Sequence, residues 1–214
     1  MSNNVSALFL TLPSRQAGQH ITRQQPRQKS CAVQTSVSNI ILSLPVAEIG
    51  TFLRSLEEYP NRKTALLLRL LVLTLIRSGE VRYGAWSEIH DNEWHIPAAR
   101  MKMGMAHVVP LSDWALETLA ELRQLNDHGG PYFATNNLNR PLNCVALSKA
   151  MQRMGYGDRA VPHGFRAMGS SILNESGQWN PDAIERQLAH RERNKIRAAY
   201  NRAEYLEERQ RMMQ

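Results

Sequence analysis

Residues 65–76, ALLLRLLVLTLI, form the longest apolar run of the chain, and Arg69 is the one charge that interrupts it. A membrane-spanning helix needs roughly 20 such residues, so this run is too short to cross a bilayer. A helix that is apolar nearly all round belongs at the centre of a core. The spacing therefore predicts a central helix over 63–76, with the rest of the chain arranged to cover it. Before it, VAEIGTFLRSL has helical spacing behind Pro45, a residue suited to a first turn. Tyr59-Pro60-Asn61 separates the two helices. After it, Ser78-Gly79 punctuates the end, and 80–86 makes a further helical turn. This leaves Arg77 at a helix end, beside the core yet able to reach outward.

The hydrophobic period then changes. EWHIP (93–97) and HVVPL (107–111) read as short strands. Between them AARMKMGMA forms a hairpin loop carrying Arg100 and Lys102. Ser112-Asp113 caps a helix running to about Asn126. Asn143 caps another that ends near Gly155. Pro162 precedes a helix ending around Gly177, and Asn180-Pro181 starts the next. Helical segments over 194–200 and 203–213 close the chain. The expected fold is mainly α with a small antiparallel β-sheet, an α+β architecture.

Net charge is +7 and the pI about 9.8, which favours a polyanionic partner. The distribution is uneven. Residues 1–44 hold Arg15, Arg23, Arg27 and Lys29 and no acid, so they supply +4 of the +7. Residues 1–43 are rich in Ser, Gln, Asn and Thr without periodicity, and read as a disordered basic tail. Order begins near Leu44. No signal peptide or membrane span is evident, and a soluble cytoplasmic protein is expected. Cys31 and Cys144 belong to no CxxC or Cys/His cluster, so neither a metal site nor a cofactor is indicated, and two free thiols are expected.

Residues 161–205 concentrate the chemistry. His163 and Arg166 are three apart, so on a helix they share one face. His190 and Tyr200 follow, with basic residues between them. Imidazole, guanidinium and phenol groups together suit holding a phosphodiester and attacking it with tyrosine. Guanidiniums offer forked donors that match phosphate oxygens and stay charged at any working pH. Singly, each residue also has a structural role open to it, such as a helix cap, a surface pair or a core tyrosine.

Four boxes in order carry a resemblance. IRSGEVRYGAWSEI, RMKMGMAHVVPLS, HGFR and QLAHRERNKIRAAYNRAEYLEERQRMM resemble the successive boxes of the catalytic domain of phage-type integrases, the tyrosine recombinases. The branch most similar is that of satellite-phage and genomic-island integrases, and the resemblance covers 44–214. It implies catalytic roles for Arg77, Lys102, His163, Arg166, His190 and Tyr200. Tyr200 would be the nucleophile and Lys102 the general acid for the leaving 5′ oxygen. His163 would assist proton transfer, and His190 would hydrogen-bond the phosphate. Glu80, three after Arg77, reads as a partner orienting arginines. Tyr205 is the rival nucleophile. The implied activity is site-specific DNA recombination through a 3′-phosphotyrosyl intermediate. The implied partners are double-stranded attachment sites, further copies in a tetramer on DNA, and accessory DNA-bending proteins; association with the bacterial nucleoid follows when DNA is bound.

Residues 1–43 resemble neither the arm-binding nor the core-binding domain of that family. A truncated chain, impaired alone, is therefore expected. A non-catalytic DNA-binding or regulatory fragment is the alternative, and a type IB topoisomerase is a related chemistry.

Overall fold

The apolar run does become the central helix. In the computed structural model, which describes residues 42–126, 129–135, 140–190 and 204–214, α1 spans Ile49–Glu57 and α2 spans Arg62–Thr74. Asn61 from the predicted break caps α2, its Oδ1 accepting from the Thr64 N–H at 3.0 Å. Ala65, Leu66, Leu67, Leu68, Leu70 and Leu71 are all buried. Each such leucine contributes roughly 2 kcal/mol of burial. Arg69 escapes the core by pairing with Glu57 at 3.1 Å. The surrounding layer is α1, α3 (Ser78–Arg82), α4 (Asp113–Gln124), α5 (Ala146–Arg153) and α6 (Gly164–Ser176).

The sheet has the order β1 (Ile89–His90), β2 (Glu93–Ile96), β3 (His107–Pro110), antiparallel throughout. Trp94 pairs with Val109 and both face the core. The sequence signalled β2 and β3 but not β1, because two residues carry no periodicity. Arg100 sits in the connection between β2 and β3, as expected, but it is buried there, 3.0 Å from Glu88. Glu88 is itself buried under the Trp94 Nε1–H, so it needs a nearby cation. The expected free thiol is not found at Cys144, which is disulfide-bonded with its partner outside the described residues. Two cysteines without a motif leave their spatial separation unread in the sequence.

Two further helices, α7 (Pro181–Gln187) and α8 (Leu206–Met213), pack together at one end. Leu75, Ile184, Leu188 and Met212 form a second apolar cluster there. Arg209 of α8 is fully buried. Its Nε and Nη2 donate to Gln187 Oε1 at 3.0 and 2.9 Å, and Nη2 also donates to the Val108 carbonyl. Gln187 Nε2 donates to the Thr74 carbonyl at 2.9 Å. Gln187 and Arg209 together thus tie α2, β3, α7 and α8, and the C-terminal helix docks on its own chain. The predicted tail up to residue 41 and the predicted helix over 194–200 lie outside the described residues.

His107, buried at the start of β3, donates from Nε2 to the Gln187 carbonyl at 3.2 Å. Burial pushes this imidazole down to about 3, helped by the Arg209, Arg166 and Arg186 cations and opposed by that hydrogen bond. Between that value and the ordinary value near 6.5, the unfolded chain binds a proton that the folded chain refuses. This stability is complete above about pH 6.5 and is lost as pH falls toward 3, a change on the order of 4 kcal/mol. His107→Gln, which keeps an N–H donor but does not titrate, is expected to flatten this acid limb. Urea midpoints compared at neutral and acid pH measure it; an unchanged slope would contradict a buried neutral His107.

Candidate active site

The site is built where two helix ends turn left-handed without glycine. α2 stops at Thr74 because Leu75 has φ 56°. That geometry costs a leucine on the order of 1 kcal/mol. Packing holds it there. The Leu75 side chain lies in the second apolar cluster and against Gly169 of α6, where a Cβ would come within 2.5 Å of its methyl carbons. The Leu75 carbonyl then accepts from Arg166 Nη1 at 2.6 Å, and Arg166 Nη2 donates to the Leu188 carbonyl at the end of α7. The buried guanidinium joins α2, α6 and α7. Its Nε, also buried, has no hydrogen-bond partner among the described residues. Burial pushes Arg166 down to about 10, with the Arg77 cation adding and Glu80 and Glu185 opposing. It remains a cation at neutral pH.

Arg77 lies at the start of α3, as expected for a helix end. The buried Glu80 carboxylate accepts from the Arg77 backbone N–H and from its Nη1, both at 2.9 Å. This reciprocal contact fixes the guanidinium, and its Nη2 reaches the Ala189 carbonyl at 3.4 Å. The side chain stays 21% exposed, so one face remains open to solvent.

His163 differs from the expected helix face. It is the residue before α6, its ring makes no capping bond, and it is exposed, whereas Arg166 turns into the core. The helix starts late because 161–164 form a turn, the Gly164 N–H donating to the Val161 carbonyl at 2.8 Å. Leu42 and Ser43 cross this turn as a strap. The Leu42 carbonyl accepts from the Val161 N–H at 3.2 Å, and a Cβ on residue 164 would lie 2.1 Å from that oxygen. Gly164→Ala is therefore expected to push strap and turn apart and lower stability by about 1–3 kcal/mol, read as a fall in the urea midpoint. An unchanged midpoint would show that the strap does not press on the turn.

Lys102 is exposed in the turn between the short helical turn Ala98–Arg100 and β3. His190 follows α7, exposed, with Nδ1 2.8 Å from Glu185 Oε2. The imidazole of His163 reports on all of them. Desolvation pushes it below its ordinary value, and Arg166, Arg77, His190 and Lys102 push it further the same way. Residues from four separate stretches thus act on one ring. Tyr200 lies outside the described residues. Tyr205 starts α8 with φ 50°, and its hydroxyl donates to Asp182 Oδ2 at 3.4 Å.

This arrangement is an open cationic surface. A cavity lined by Trp86, Arg123, Asn126 and Pro131 shares none of its residues. Among the described residues no three His, Cys, Asp or Glu side chains group as metal ligands. What the surface offers chemically is charged and neutral N–H donors to an extended anion, with one imidazole held neutral among them. Sequence reasoning missed Glu185, the Leu42 strap and the carbonyls that hold Arg166. Only Glu185 left a usable signal, an acid one helical turn and a residue before His190.

Residues 44–207 match the phage integrase family. Prophage integrase IntZ of Escherichia coli (strain K12) is 39% identical over 173 residues, covering 80% of this chain and 43% of that protein. The integrase of Enterobacteria phage P4 is 36% identical over 202 residues, covering 86% of this chain and 46% of that protein. The chain thus spans less than half the length of either. Among solved structures, the lambda integrase catalytic core superposes with a TM-score of 0.57 at 20% identity, covering 72% of this chain and 94% of that one. A lambda integrase dimer bound to a COC′ core site gives 0.58 at 20%, covering 81% and 51%. At that identity the likeness is one of fold.

Proposed function

Because the chain belongs to the phage integrase family, we propose that it breaks and rejoins DNA strands at specific sites as a tyrosine recombinase. The observation that carries this reading is the convergence of Arg77, Lys102, Arg166 and His190 on His163. Tyr200 Oη attacks the phosphorus and gives its proton to His163. The depressed proton affinity of His163 keeps it neutral and able to accept near neutral pH. Charge developing on the non-bridging oxygens is met by Arg77 and by Arg166, whose buried Nε has no other partner among the described residues. Donors fixed in advance in this way act without reorganising. His190 adds a third donor. Lys102 protonates the departing 5′ oxygen as the P–O5′ bond breaks. The 3′-phosphotyrosyl link keeps the energy of the original ester, and a 5′ hydroxyl reverses the steps.

Duplex DNA is the assigned partner. The lambda integrase structures, one a dimer on a core site and one a tetramer on a Holliday junction, support several copies acting together on attachment sites. Accessory DNA-bending proteins would shape those sites. No helix among the described residues is long and apolar enough to cross a membrane. The assigned location is the bacterial cytoplasm, at the nucleoid when DNA is bound.

The test is incubation with nicked duplexes of randomised core sequence, in which cleavage releases the short end and traps the intermediate. An adduct that survives detergent is the expected result. Salt-sensitive binding without any adduct would overturn catalysis and favour a non-catalytic DNA-binding or regulatory fragment. The chain's coverage of less than half of its relatives makes that the second reading.

A further inference from the structure

α7 ends in a Schellman motif. The Ala189 N–H donates to the Arg186 carbonyl and the His190 N–H to the Glu185 carbonyl, both at 3.0 Å, with Ala189 left-handed at φ 48°. This motif folds the second residue past the helix cap back over the third from its end, where an apolar pair usually meets. Here the pair is His190 and Glu185, with Nδ1 2.8 Å from Oε2. The side chains are 43% and 53% exposed, so the pair adds little to stability. Its consequence is chemical. An ionised carboxylate only accepts, so Nδ1 carries the proton. A neutral imidazole has one N–H. With that proton held by Glu185, Nε2 is left as an acceptor, which cannot bond a phosphate oxygen.

We infer that Glu185 is a positioning residue that lets His190 donate to phosphate only as the doubly protonated imidazolium. The inference rests on the proposed role of His190 at the phosphate. Among the described residues, the other charged and titratable groups around the site are Arg77 and Glu80 of the α3 start, Lys102 in the turn before β3, and His163 and Arg166 at the start of α6. Glu185 is felt by Arg166 as well, so it belongs to the same field. The carboxylate therefore decides which nitrogen of a neutral His190 carries the proton, and with it whether that ring can face a phosphate oxygen as a donor.

Side-chain ¹⁵N NMR of His190 in the full chain, well above neutral pH, tests this directly. The wild type is expected to show the Nδ1–H tautomer. Glu185→Ala should revert to the Nε2–H tautomer ordinary for free histidine. Glu185→Gln, which keeps an acceptor oxygen, should retain Nδ1–H. Nε2–H in the wild type, or the same tautomer in wild type and Glu185→Ala, would overturn the inference whether or not the chain cleaves DNA. Adduct formation against pH adds a second readout. Glu185→Ala, whose neutral His190 can still present Nε2–H to phosphate, should lose less of its rate than the wild type as pH rises above neutral. A parallel pH profile at a lower rate would reduce Glu185 to a structural role and also count against it. Failure of the wild type to form any adduct would instead strike the proposed function and leave the NMR result standing.

Discussion

Arg166→Ala is expected to lower the rate of covalent adduct formation by about 100- to 1000-fold and to destabilise the fold by about 2–4 kcal/mol. Both effects come from one buried guanidinium. Its two Nη groups satisfy the Leu75 and Leu188 carbonyls, which join the ends of α2 and α7 to α6. Alanine strands those acceptors beneath the second apolar cluster. The remaining Nε donor is lost from the surface assigned to phosphate. Lysine is no substitute, since a single ammonium lacks the planar fork whose Nη1 and Nη2 reach the two carbonyls. Single-turnover adduct formation, run where urea curves show both proteins folded, separates the two effects. Arg77→Lys provides the contrast. It keeps a cation beside the buried Glu80 carboxylate but loses the fork, so it should slow cleavage with much less change in stability. A rate for Arg166→Ala within a few-fold of wild type would remove this residue from the catalytic set.

Tyr200→Phe should abolish the adduct, a loss on the order of 10⁴-fold or more, while leaving DNA affinity within about 2-fold. Only a hydroxyl is removed, and the cations that meet the phosphates stay in place. Tyr205→Phe should retain adduct formation. Tyr205 is fixed at the start of α8, with its hydroxyl already on Asp182. Gel shift and detergent-resistant adduct assays on the same preparations measure both quantities. An adduct from Tyr200→Phe would assign the nucleophile elsewhere.

The features legible in the sequence are those with a periodic or capping signature. α2 was visible because six of its thirteen residues are leucine, close together in one apolar run. Ser112 and Asn180 were readable as starts, and each side chain accepts a backbone N–H in the first turn; Asn61, read only as part of a break, does the same. Arg77 was legible as a helix end because the apolar run stops just before it. The architecture expected, mostly helical with one small antiparallel sheet, is the one observed.

What was not legible depends on contacts that composition does not encode. Left-handed turns usually announce themselves through glycine, but Leu75 and Ala189 adopt them under tertiary packing. The arginine acceptors at these turns were therefore hidden. His163 was expected on a helical face with Arg166, yet the turn beneath the Leu42 strap delays the helix by one residue and sends the two side chains to different environments. Arg100 resembled a loop cation, and the buried Glu88 together with the Glu80 carbonyl explains why it turns inward. β1 is two residues long, below the length at which alternation can be read.

The most direct test of the central claim is to identify which atom of the protein holds DNA. The trapped adduct would be digested with trypsin and nuclease and mapped by mass spectrometry. Cleavage after Arg197, Arg202 and Arg209 places Tyr200 and Tyr205 on different peptides. The account predicts a phosphotyrosyl link on Tyr200, joined to a DNA 3′ end, with a free 5′ hydroxyl on the released strand. A link on Tyr205 or any other residue, or one joined to a 5′ end, would contradict it.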